Sequence, residues 1–347
     1  MIHFNSDYLE GAHPIVLQAL VDTNMEQTIG YGEDPYCARA REKIKAALQA
    51  PRADVHFLVG GTQTNTTVIA SVLRPYQGVL SAVSGHINCH ETGAIESTGH
   101  KVITLPTSDG KITASQIADY VDWHRNDESV EHIVYPGMVY ISYPTEGGTL
   151  YTKAELREIY DTCRRCGLYL FIDGARLGYA LAADECDVAL TDLPSLCDVM
   201  YIGGTKVGLL FGEAVVIFND ALTQGFRPIM KQRGAMIAKG RLLGVQFDAL
   251  FTDDLYTKIA RNAIDMAHQI RDIFVSNGYP LLFDSPTNQQ YPILPDAELA
   301  ILGKDFGYEY WQRVDETHSG VRFCASWATT QAQVDALRQA VNALHSR

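Results

Sequence analysis

The chain has 347 residues, 46% apolar and 20% charged, with 41 acidic against 28 basic side chains and a net charge of −13. At about 150 residues per domain this suits one large domain and an appendage, and the balance excludes a disordered or fibrous chain. The acidity argues against nucleic acid or an anionic membrane as the main partner, since both select cationic surfaces.

The start, Met1-Ile-His-Phe-Asn-Ser6, lacks the basic and apolar regions of a signal peptide, and no apolar stretch approaches the roughly 18 residues of a spanning helix. In chain order, the first clear strand is 55–59, closed by Gly60 and Gly61, and 63–73 reads as a helix stopped by Pro75. Strand-like runs recur at 78–83, 101–105, 138–143, 168–172, 198–202 and 214–218. Helices between them carry start signals: Thr113-x-x-Gln116 and Thr152-x-x-Glu155 are capping boxes. Alternating strands and helices predict an α/β fold with a mostly parallel sheet. Two long helices are expected over 228–250 and 254–277, then a helix near 297–304, strands near 307–313 and 321–326, and a last helix from Thr330. The division expected is a large domain over 1–250 and a smaller α+β domain over 251–347. Seven scattered cysteines make no disulfide framework, so a reducing cytoplasm is the expected home, and Cys163-Arg-Arg-Cys166 reads as incidental.

The strand 168–172 delivers Asp173-Gly-Ala-Arg176 at its carboxyl end, where open parallel sheets bind ligands. The strand 198–202 delivers Gly203-Gly-Thr-Lys206 in the same way. A carboxylate and an amine over one crevice match the protein side of pyridoxal phosphate chemistry, a Schiff-base lysine with an Asp partner for the pyridine nitrogen. A buried Asp–Lys pair joining two loops is the plainer alternative. Gly60-Gly-Thr-Gln-Thr-Asn65, between strand and helix, offers backbone N–H groups to a phosphate and is neither a dinucleotide fingerprint nor a Walker loop. His86 and His90 stand four apart in Gly85-His-Ile-Asn-Cys-His-Glu91; no third metal ligand is indicated, and an imidazole stacked on a flat ring fits better. Arg322, a charge inside the apolar run 321–326, needs an anionic partner, either a substrate carboxylate or a structural one.

Asp-Gly-Ala-Arg-Leu at 173–177, Lys206, Gly-Gly-Thr-Gln-Thr-Asn at 60–65 and Tyr-Gly-Glu-Asp-Pro at 31–35 resemble the L-threonine aldolase family over nearly the whole chain. That resemblance implies the aspartate-aminotransferase fold (fold type I) and pyridoxal 5'-phosphate. It also implies retro-aldol Cα–Cβ cleavage of L-threonine or L-allo-threonine to glycine and an aldehyde. A β-eliminating lyase or an aminotransferase on the same scaffold is the alternative. Implied roles are Lys206 for the Schiff base, Asp173 for the pyridine nitrogen, and His86 for ring stacking. Gly61, Thr62, Thr205 and Arg176 fall to the cofactor, and Arg176 again, with Arg322, Ser6 and Glu91, to the substrate. A homodimer at least, by family habit a homotetramer, would share the site, with Tyr31 and one of Lys231, Arg233 or Lys239 coming from a neighbour. Where many members carry an Asn-Thr-His segment, this chain reads Pro144-Thr-Glu146, which leaves Glu146, or His86 with a water, as candidate base. The usual Gly-Gly-Gly-Met-Arg-Gln run is replaced by Gln232-Arg-Gly-Ala-Met-Ile-Ala-Lys239.

Overall fold

The computed structural model describes residues 1–344. The chain opens with a short strand, β1 (Ile2–His3), and two helices, α1 (Pro14–Asp22) and α2 (Pro35–Leu48). Both helices carry proline in the first turn, where its missing N–H costs nothing, and Asp34 caps α2 by accepting from Cys37 N. The large sheet contains β2 (Asp54–Leu58), β3 (Gln77–Ala82), β4 (Val102–Leu105), β5 (Tyr135–Ser142), β6 (Tyr169–Gly174), β7 (Val199–Gly203) and β8 (Glu213–Ile217). Their order is β2-β8-β7-β6-β5-β3-β4. Strand β8 runs antiparallel to both neighbours, and the remaining pairings are parallel.

The connecting helices are α3 (Gly61–Val72), α4 (His86–Cys89), α5 (Ala114–Asn126), α6 (Lys153–Cys166) and α7 (Leu177–Ala182). Both expected capping boxes form, on α5 and α6, because each needs only residues three apart. The strands β6, β7 and β8 are buried almost throughout, as expected of a sheet covered on both faces.

The single helix expected over 228–250 is two, α8 (Phe226–Gln232) and α9 (Arg241–Leu250). Gly234, with φ of +71°, lies in the break, and at Gly240, just before α9, a Cβ would collide with the Gly32 amide nitrogen. Then come α10 (Leu255–Ser276), β9 (Gln289–Gln290), β10 (Ile293–Pro295), α11 (Asp296–Leu302), β11 (Phe306–Gly307), β12 (Glu309–Arg313), β13 (His318–Cys324) and α12 (Gln331–Leu344). The strand expected over 307–313 is interrupted at Tyr308, and the one expected over 321–326 begins at His318 and stops at Cys324.

The small sheet orders β10-β13-β12, with β9 also on β13. Helix α10 joins two cores: Ile259, Ala260, Ala263 and Ile264 pack with the large sheet, whereas Ala267, Ile270, Ile273 and Phe274 pack with the small one. The N-terminus belongs to the small core. Strand β1 pairs with β11, Phe4 is buried there, and Phe4 O accepts from Cys324 N at 2.6 Å.

Candidate active site

Strand β6 places Asp173 at its carboxyl end, and β7 leads through Gly203, Gly204 and Thr205 to Lys206. The strand ends can approach because a Cβ on Gly174 would strike the Tyr201 carbonyl and one on Gly203 the Ala175 carbonyl. A cavity of about 310 Å³ opens over this edge. Asp173, Lys206, His86 and Arg176 line it, Gly61 and Thr62 sit at the start of α3, and Glu146, Thr205 and Glu213 complete the polar wall. A larger hollow of about 640 Å³ beside Asp109, Lys111 and Glu155 offers no comparable chemistry, since Lys111 is already paired with Glu155 at 2.8 Å.

Asp173 accepts from Tyr140 Oη at 2.5 Å, from Asn65 Nδ2 at 3.2 Å and from Ala175 N at 3.0 Å. Burial and then the Asp173 charge push the Tyr140 phenol up, which keeps it a donor. Asn65 also donates to Glu91 Oε1 at 2.7 Å, and the same oxygen meets His86 Nδ1 at 2.8 Å. One buried chain therefore runs Tyr140–Asp173–Asn65–Glu91–His86. It fixes the His86 ring from below while leaving that side chain partly open to the cavity.

Burial and then the neighbouring Arg176 charge lower the Lys206 amine, which favours its neutral, nucleophilic form; Asp7 and Asp173 oppose this in part. Arg176 grips Asp7 through Nε at 2.6 Å and Nη2 at 3.0 Å, and Asn288 Nδ2 donates to Asp7 at 2.9 Å. Burial alone would raise Asp7, but Arg176 and Lys206 hold it well below the usual carboxylate range. Glu213 accepts from Thr205 Oγ1 at 2.7 Å and Gly204 N at 3.1 Å, and burial pushes it up to about 8. Glu146 Oε1 accepts from the His86 backbone N at 2.7 Å and Ser142 Oγ at 2.6 Å; burial raises it too.

A second chamber of about 210 Å³ shares Tyr8, His86, Glu146, Arg176 and Lys206 with the first and adds His90, Glu309, Trp311 and Arg322. Arg322 donates to Gln289 Oε1 at 3.1 Å, to Asn5 O at 2.9 Å and to Glu309. Its Nε, together with Ser6 Oγ and Asn5 Oδ1, is buried without a partner.

Four expected residues lie elsewhere in the chain. Tyr31 borders a separate cleft with Gly240, and Lys231 Nζ sits 4.5 Å over its ring. Arg233 O accepts from Gln63 Nε2 at 3.4 Å, and Lys239 is exposed between α8 and α9. Glu91, expected on the substrate, is buried under His86. Asp7, Tyr140, Glu213 and Glu309 join the site without being expected from the sequence, and Asn65 has a role there beyond its place in the glycine loop. Tyr140 had a signal, a hydroxyl within an apolar strand. Asp7 had none, because its partner is 169 residues away.

The model of the beta-eliminating lyase family matches residues 3–335. The chain is 30% identical over 329 residues to a low specificity L-threonine aldolase of Pseudomonas aeruginosa, covering 94% of this chain and 93% of that one. A solved threonine aldolase from Leishmania major is 43% identical with a TM-score of 0.96, covering 99% of each chain. At 11% identity, where only the fold is shared, a histidinol-phosphate aminotransferase from Clostridium acetobutylicum gives a TM-score of 0.74 over 100% of this chain and 99% of that one. The aminotransferase-type α/β fold expected from the resemblance is thus the one found.

Proposed function

Since the chain belongs to the beta-eliminating lyase family, with its full-length likeness to threonine aldolases, we propose that it cleaves the Cα–Cβ bond of L-threonine and related β-hydroxy amino acids to glycine and an aldehyde. The observation that carries this reading is a lysine amine and a triply hydrogen-bonded Asp173 lining one cavity, with His86 beside them. β-Elimination and transamination are not favoured.

The residues present fit pyridoxal 5'-phosphate. The first N–H groups of α3 have no helical acceptor, and Gly61 leaves no Cβ in the way, so an anion can approach as it does at other helix starts. Lys206 would hold the cofactor's carbonyl carbon and Asp173 would keep its ring nitrogen protonated. Bound there, the group supplies an electron sink for the pair released from Cα. The protein's own residues do the rest. Arg322 and Ser6, with unpartnered buried polar atoms, take the substrate carboxylate, and Arg176 adds positive charge while its fork stays on Asp7. Glu146, whose carboxyl is pushed up by burial and which lines the cavity beside Lys206, accepts the β-hydroxyl proton. His86, positioned by Glu91, covers the ring.

Along α1 and the segment after it, Ile15, Leu17, Val21, Met25 and Ile29 are exposed apolar side chains. Such a face supports a subunit interface. A homodimer, or a homotetramer, would bring Tyr31 and a basic residue among Lys231, Arg233 and Lys239 to a neighbour's site. Among the described residues no helix is long and apolar enough to cross a membrane. The seven free cysteines support a reducing cytoplasm.

The test is product analysis by NMR with L-threonine and L-allo-threonine. Glycine plus acetaldehyde is expected, whereas ammonia with 2-oxobutanoate would replace aldol cleavage by elimination. Glu146→Gln should lower kcat by about 10²-fold or more with the cofactor still bound, and full activity would remove Glu146 as the base.

A further inference from the structure

We propose that Glu309 is a gate on Arg322, occupying its guanidinium in the ligand-free protein and leaving when the carboxylate of an amino acid arrives. This rests on the reading of Arg322 as the substrate's carboxylate site.

Strands β12 and β13 pair with Glu309 directly opposite Arg322. The two side chains meet in the chamber that opens onto Lys206. Their surroundings differ. The Arg322 side chain is 9% exposed and held by Gln289 and the Asn5 carbonyl, both neutral. The Glu309 side chain is 49% exposed and lies on the edge strand of the small sheet. The guanidinium is therefore fixed, and its charged partner can turn into water with little desolvation cost. A substrate carboxylate is the same chemical group as the Glu309 side chain, so the two compete for one donor set. Glu309 is bonded to Nη2, and Arg322 Nε is buried without a partner, so the same guanidinium has a further donor in reserve.

The consequence is a reduction of apparent affinity by the fraction of protein in which Glu309 has left. A half-exposed ion pair carries a modest weight, which corresponds to about a two- to fivefold change in binding. Glu309 thus acts through Arg322, without touching the reacting atoms.

The experiment compares the holoenzyme with its Glu309→Gln and Arg322→Ala variants. Calorimetry gives the Kd of glycine, and steady-state kinetics give KM and kcat for L-threonine. L-Threoninamide, which has no carboxylate, serves as the control ligand. The expectation for Glu309→Gln is a two- to fivefold fall in the glycine Kd and threonine KM, with kcat and threoninamide binding unchanged. Weaker or unchanged glycine binding in Glu309→Gln, while Arg322→Ala loses it, overturns the gate and leaves the reading of Arg322 standing. Equal tightening of threoninamide overturns the gate as well. Undiminished glycine binding in Arg322→Ala overturns both.

Discussion

Asp7 and Glu213 are buried carboxylates that both feel the Lys206 charge, and their surroundings drive them to opposite protonation states. Asp7 faces a bidentate guanidinium, so its folded pKa lies below the ordinary value of 3.8. Its contribution to stability is present above that value and is lost only as the pH falls through the lower folded one. Removing its charge leaves Arg176 buried and unpaired. Asp7→Asn should therefore cost about 3–5 kcal/mol in denaturant unfolding, far more than loss of a surface pair. Glu213 has hydrogen-bond donors but no ion-pair contact among the described residues, and burial raises its folded pKa from 4.5 to about 8. The folded state then holds a proton that the unfolded chain gives up, so stability is fully present below pH 4.5 and declines as the pH climbs toward about 8. Glu213→Gln should flatten that decline, read as the difference in Tm between pH 5 and pH 8 for variant and parent. An unchanged slope in the variant would assign the decline to other groups.

The site depends on how closely β6 and β7 end beside each other. Gly174 and Gly203 each face a carbonyl of the neighbouring strand end, where even a methyl group has no room and backbone cannot swing aside. Gly203→Ala should lose about 1–3 kcal/mol of stability or more, with a parallel loss of cofactor binding because the turn to Lys206 is displaced. Thermal melts with and without cofactor would separate the two effects. By contrast, Thr152→Ala on α6 should cost about 1 kcal/mol and leave activity alone, since the bonds of the Thr152 hydroxyl stay within the first turn of its own helix. These contrasts also explain what the sequence could tell. Capping boxes and apolar runs involve neighbours in the chain, so α5, α6 and the strands of the large sheet were readable. The break between α8 and α9 has a local mark in Gly234, whose φ is +71°, but the close approach of Gly240 to Gly32, some two hundred residues earlier, has none.

Across the whole molecule, the same distinction divides the site. Asp173 and Lys206 could be found because each follows its own apolar strand, and fold class follows from strands alternating with helices. The partners Asp7 for Arg176, Asn65 for Glu91 and Glu309 for Arg322 come from tertiary placement, and no local pattern announces them. Assembly beyond the single chain is predicted from the exposed face on and after α1. Val21→Asp together with Met25→Glu should shift sedimentation toward the monomer and reduce activity, while a variant that stays assembled would direct attention to another face. The anchoring of the first residues has a consequence in time. Asp7 is held near Arg176 by a segment whose upstream attachment, at Ile2 to Phe4, is to Phe306, Gly307 and Cys324. During synthesis Arg176 is made early, yet the anchor for its counter-charge emerges more than a hundred residues later. Until residues 306–324 have been made, the strand partners of Ile2 to Phe4 do not exist, and the Asp7–Arg176 pair lacks the anchor it has in the folded chain.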